Sequence, residues 1–145
     1  MTPRVVLDTN VVVSSLLKPQ GWEDQVLRLA LTGRLTLCAS PTVLLEYADV
    51  LPRSKFKLEP QEIQRTLTEL RKASALVEPK HRVTAAKHEP DNRFLECTEA
   101  SGADFLVTGN KRHFPAKWKH TRVVNARELV ALISPGAAGI SKSFG

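Results

Sequence analysis

Cysteine is scarce in this chain. Cys38 and Cys97 are its only two, they stand far apart and form no CxxC, so both read as reduced, buried thiols. No apolar run approaches the ~20 residues that cross a bilayer. The first apolar run, Val5 to Leu7, is cut short by Asp8, which argues against a secretory leader and makes the cytoplasm the expected compartment. No GxGxxG follows that run, which excludes a dinucleotide site, and no serine or cysteine nucleophile motif occurs. Phosphatases of the haloacid-dehalogenase type want a second Asp two residues after the first; here that position is Asn10. Receiver domains want an early acidic pair, and none is present. Acids are also outnumbered, 15 Asp and Glu against 21 Lys and Arg, and the resulting charge of +6 favours a polyanionic partner.

What is present is ordinary globular material. With 145 residues, 42% hydrophobic and 25% charged, the chain has the size and composition of one soluble domain with a core. The expected boundaries are a folded domain over residues 1–134 and a Gly-, Ser- and Ala-rich flexible tail over 135–145. Strands are expected at Val5–Leu7, Leu35–Cys38, Ala75–Val77, Asp104–Thr108 and Val123–Val124. Helices are expected over Trp22–Leu31, from Pro41 to about Leu51 with Ser40 as N-cap, from Pro60 past Leu70, and from Pro90-Asp91 to about Ser101. Asn125 and Glu128 form a capping box for a last helix, and Lys80–Glu89 reads as a connecting loop. Strands alternating with helices predict an α/β fold, a parallel sheet with helices on both faces.

In such sheets ligands bind outside the carboxyl ends of the strands, where Asp8 and the residues after Val107 fall. Glu46 shares a helical face with Val43 and Val50, so it is partly desolvated and needs a partner. Asp91 opens a helix, and Asn110 follows a buried strand and Thr108-Gly109. Carboxylates gathered at one edge repel unless a cation sits among them, and hard oxygen ligands suit Mg²⁺ or Mn²⁺. Phosphodiester hydrolysis is the chemistry that uses this arrangement. Each residue has a structural alternative: Asp8 and Asp91 as helix caps, Glu46 as a solvated carboxylate, Asn110 as a turn residue.

The segments VVLDTNVVVSSLL, SPTVLLEYADVLPRSKF, EPDNRFLECTEASGADFLVTGN and the KRHF that follows, in this order, resemble a PIN-domain protein over about residues 4 to 133. The nearest subgroup is the bacterial, VapC-like one of toxins from toxin–antitoxin pairs. The resemblance implies a three-layer α/β/α sandwich around a mostly parallel sheet of about five strands, and a Mg²⁺- or Mn²⁺-dependent endoribonuclease. It implies Asp8, Glu46 and Asp91 as catalytic, metal-holding acids. The fourth acidic position falls on Asn110, a departure that brings a ligand oxygen without charge and bears on whether one metal or two are held. Thr9, Asn10 and Thr108 would be supporting polar residues. RNA is the implied substrate, with a cognate antitoxin protein and a second copy of the chain, in a homodimer, as partners.

RNA must still be drawn to an acidic pocket. Lys111 and Arg112 adjoin the expected site and are the first candidates for phosphate contacts, with Arg53 and Lys55 as a second basic patch. Phe114 and Trp118 interleave with basic residues, which suits base stacking, but inward packing is the stronger expectation for them. Asn110 keeps a second reading open: a PIN-fold nucleic-acid-binding module with weak or no catalysis.

Overall fold

The first apolar run becomes β1 (Arg4–Leu7), in which Val5, Val6 and Leu7 are fully buried. A strand without an exposed face needs helices above and below it. A computed structural model of the chain, describing residues 2–133, supplies them. The expected tail, 135–145, lies outside the described residues.

After β1 come α1 (Thr9–Leu17), α2 (Trp22–Leu31), β2 (Thr36–Ala39), α3 (Pro41–Val50), α4 (Pro60–Ala73) and β3 (Ala75–Leu76). Then follow α5 (Asn92–Ser101), β4 (Phe105–Val107), β5 (Lys117–Trp118), β6 (Thr121–Val124) and α6 (Ala126–Ile133). The sheet has six strands in the order β3-β2-β1-β4-β6-β5. All pairs are parallel except β5 with β6. α5 packs on β1, β2 and β4, while α2 reaches β2 and packs against α1 and α6. The result is the α/β/α architecture read from the alternation of elements.

The caps follow the sequence. The Ser40 hydroxyl accepts from the Val43 N–H at 3.2 Å, and Pro41 occupies the first helical position. Glu128 and Asn125 exchange backbone-to-side-chain bonds of 2.8 and 2.7 Å at the start of α6. Gly102 ends α5 at φ 66°, a left-handed conformation that glycine adopts without steric cost.

The differences lie at edges. The sheet has a sixth strand, β5, whose pairing sets Lys117 opposite Arg122 and Trp118 opposite Thr121. β6 accordingly starts at Thr121, two residues before its apolar pair. Neither feature carries an apolar run, because an edge ladder is held by backbone bonds. Asp91 does not open a regular helix but closes a 3₁₀ turn, Glu89–Asp91, that leads into α5.

Cys38 on β2 and Cys97 on α5 are both fully buried and free. Burial raises both thiols, Cys97 up to about 12. Among the described residues no helix is long and apolar enough to cross a membrane.

Candidate active site at the carboxyl edge of the sheet

Asp8 directly follows β1, and its backbone N–H donates to the Val107 carbonyl of β4 at 2.9 Å. It stands at the N-cap position of α1, yet its carboxylate makes no capping bond. Instead the Thr108 hydroxyl donates to its Oδ2 at 2.7 Å, across the sheet edge. Only 7% of Asp8 is exposed. Burial pushes its carboxyl up to about 6; the Thr108 bond and the Asn10 backbone N–H oppose this, while the charges of Asp91 and then Glu46 add to it.

Glu46 comes from α3 and is half-buried, as its apolar neighbours on the helix demand. Its partner is the Thr9 hydroxyl, which donates to Oε2 at 2.9 Å. The next residue, Tyr47, is fully buried, and its hydroxyl donates to the Leu7 carbonyl at the end of β1. Together Thr9 and Tyr47 tie the helix bearing Glu46 to the strand bearing Asp8.

Asp91 closes the 3₁₀ turn ahead of α5 and also leaves that helix uncapped. Burial raises its carboxyl, against the pull of His113 and His88. His113 Nδ1 lies 3.6 Å from its Oδ2, and the His88 ring stands 4.5 Å from that of His113. Asn110 is exposed; its backbone N–H donates to the Thr108 hydroxyl at 3.0 Å. The Asn10 amide oxygen accepts from the Gly109 N–H at 3.1 Å, so Asn10 and Thr108 brace the same crossing.

The basic residues divide. Arg112 is exposed, in a 3₁₀ turn next to Asn110. Lys111 is tied up, its ammonium 2.9 Å from both Glu128 oxygens. Arg53 pairs with Asp49 at 3.2 Å, and Lys55 lies 5.2 Å over the Phe56 ring. Phe114 is core, and the half-buried Trp118 turns its indole N–H toward Glu99 at 3.4 Å. Neither ring is a free stacking platform.

Hard carboxylate oxygens, a buried acid burdened by two like charges, and no cationic side chain paired with Asp8 or Glu46 among the described residues together fit a divalent cation. As they stand the side chains face Thr9, Thr108 and His113. Among the described residues no three His, Cys, Asp or Glu groups are placed to share one ion. Sequence reasoning gave Tyr47 and His88 no part in the site and placed His113 only in the basic stretch after Asn110; the contacts Tyr47–Leu7 and His113–Asp91 join residues distant in the chain.

The sequence pattern of the PIN domain matches residues 4–112. An uncharacterized protein of Methanocaldococcus jannaschii is 29% identical over 111 residues, covering 74% of this chain and 71% of its own length. The match runs from β1 into the turn after Asn110 and takes in Asp8, Glu46 and Asp91; the chain belongs to the PIN-domain family, whose members are generally nucleases.

Proposed function

We propose that this protein is a Mg²⁺- or Mn²⁺-dependent endoribonuclease that hydrolyses RNA phosphodiester bonds. The observation that carries the reading is Asp8: a buried carboxyl at the end of β1, raised to about 6, near the charges of Asp91 and Glu46. Asp8, Glu46 and Asp91 would hold the ion, with Asn110 as a neutral donor beside them. When bound, such an ion neutralises charge on the phosphoryl group and lowers the pKa of a water. Thr108 fixes one Asp8 oxygen and Thr9 one Glu46 oxygen, so the opposite oxygens would be the ones offered to an ion. His113 Nδ1, 3.6 Å from Asp91 Oδ2, would steady that carboxylate. Arg112 is the candidate phosphate contact.

The toxin role, a cognate antitoxin and a homodimer rest on the sequence resemblance. The second reading, a nucleic-acid-binding module with weak or no catalysis, draws on Asn110, whose neutral and exposed side chain adds no charge to hold an ion. One experiment separates the two. Purified protein is incubated with labelled RNA in Mn²⁺, Mg²⁺ or EDTA, beside Asp8→Asn. Cleavage that needs the ion and is lost in the variant supports the enzyme; binding without cleavage supports the module.

A further inference from the structure

Between β3 and the turn at Glu89–Asp91 the chain has no regular structure, so its backbone N–H groups must find acceptors elsewhere. The first turns of α5 supply two of them, while the Val77 N–H reaches the Ala39 carbonyl at 2.9 Å and the Lys87 N–H the His113 carbonyl at 3.2 Å. Glu96 is 5% exposed, and its Oε2 accepts from the Val83 N–H at 2.9 Å and from Arg93 Nη2 at 2.8 Å. Asn92 is 1% exposed; its Oδ1 accepts from the Ala86 N–H at 2.8 Å and its amide donates to Glu89 Oε2 at 2.9 Å. Arg93 Nη2 also lies 3.0 Å from Glu89 Oε1. Asn92 and Glu96, one helical turn apart on α5, therefore grip the loop at two points, and Asp91 is the residue between the gripped loop and the gripping helix.

Stability alone does not account for this arrangement. Burying a carboxylate and a guanidinium is costly, and a pair of apolar side chains would close the same gap with no charge to desolvate. Among the described residues the network also leaves the Arg93 Nε–H buried without a partner. Polar networks of this kind fix geometry rather than add net stability.

We propose that Asn92 and Glu96 are positioning residues that hold Asp91 toward Asp8 by clamping residues 83–89 onto α5. The inference rests on the proposed role of Asp91 as a ligand of the divalent ion. Neither residue touches substrate or ion; both act through Asp91.

The test uses the full chain with Glu96→Gln, with Glu89→Ala, and with Leu129→Ala as a folded control destabilised in α6, away from the loop. Glu89 is 64% exposed, so its truncation leaves the fold standing even where Glu96→Gln does not. Amide hydrogen exchange at Val83 and Ala86 reads the clamp, and titration calorimetry with Mn²⁺ reads the site. Glu96→Gln keeps an oxygen for the Val83 N–H but loses the charge that holds Arg93 Nη2, so protection should fall in part at Val83, and Glu89→Ala, which frees the Asn92 amide, should lower it at Ala86. The Mn²⁺ dissociation constant should rise roughly 10- to 100-fold in Glu96→Gln, the range seen when support behind a metal ligand is removed, less in Glu89→Ala, and not in Leu129→Ala. A wild type that binds Mn²⁺, with loop variants that bind it equally well, overturns the clamp and leaves the proposed function intact. A wild type that binds no Mn²⁺ overturns the proposed function and the clamp's role together.

Discussion

Replacing Asp8 by Asn should make the metal-free protein more stable at neutral pH, although it removes the central acid of the site. In the unfolded chain an aspartate titrates near 3.8, and in the fold Asp8 titrates at about 6. The native state therefore holds the Asp8 proton more tightly than the unfolded state does. Where both are protonated, below pH 4, Asp8 costs the fold nothing; as pH rises through the interval the fold loses stability, and above pH 6 the loss is complete. About two pKa units at 1.36 kcal/mol each give a loss of roughly 3 kcal/mol. The asparagine carries no charge to desolvate and can still accept from Thr108 through its amide oxygen. Urea denaturation in EDTA, at several pH values for both proteins, isolates the effect of Asp8 and its coupling to Asp91 and Glu46, since titrating groups that do not interact with Asp8 cancel in the difference. The two should be within about 0.5 kcal/mol at pH 4, with the variant ahead by roughly 2–3 kcal/mol at pH 8. That gap corresponds to roughly 10 °C in Tm for a domain of this size. Adding Mn²⁺ should then stabilise the wild type and leave the variant where it was. A difference that stays flat across the pH range, or a variant that is less stable at pH 8, would refute the reasoning.

Three further outcomes are expected. Tyr47→Phe leaves the Leu7 carbonyl buried without its donor, and should lower stability by about 1–3 kcal/mol in urea with an unchanged m-value; a loss of only a few tenths would mean that the hydroxyl bond holds nothing. Arg112→Ala should reduce the slope of log K against log salt for single-stranded RNA by roughly 1, while Lys111→Ala, already committed to Glu128, should change it less; the reverse order would place the phosphate track on Lys111. Asn110→Asp should tighten Mn²⁺ binding several-fold in calorimetry. A unit charge at ~4 Å and an effective dielectric near 20 is worth roughly 4 kcal/mol before desolvation and repulsion are subtracted; an unchanged affinity would put this side chain beyond reach of the ion.

Much of this molecule is written in local pattern. The β-branched run Val5–Val6, the stripe Ile63, Leu67, Leu70 and the run Phe105–Val107 each state their period and their buried face within a few residues. The rule that ligands gather at the carboxyl edge then brings Asp8 and the residues after Val107 together from topology alone. What escaped depends on partners that the local pattern does not mark. β5 exists because Lys117 and Trp118 find Arg122 and Thr121 across a turn, with Lys119 at φ 55°. Lys111 reads as a free cation until Glu128, on another element, takes its ammonium. Tyr47 reads as one more core aromatic of α3, because nothing near it in the chain says that its hydroxyl ends on Leu7. The loop before Asp91 lacks periodicity because its order is imposed by α5 rather than by its own residues.

The two thiols give the molecule an internal reporter. Cys38 lies in the sheet and Cys97 in the helix packed on it, both sealed from solvent and both raised by burial. A thiolate is the reactive form, so at neutral pH a native molecule should be nearly silent to an alkylating reagent, while any molecule that opens its core reacts at once. The rate of labelling then counts excursions from the native state one molecule at a time. An ion that binds at the far end of β1 should slow that rate by the factor through which it shifts the population, with no label, tag or substitution introduced into the chain.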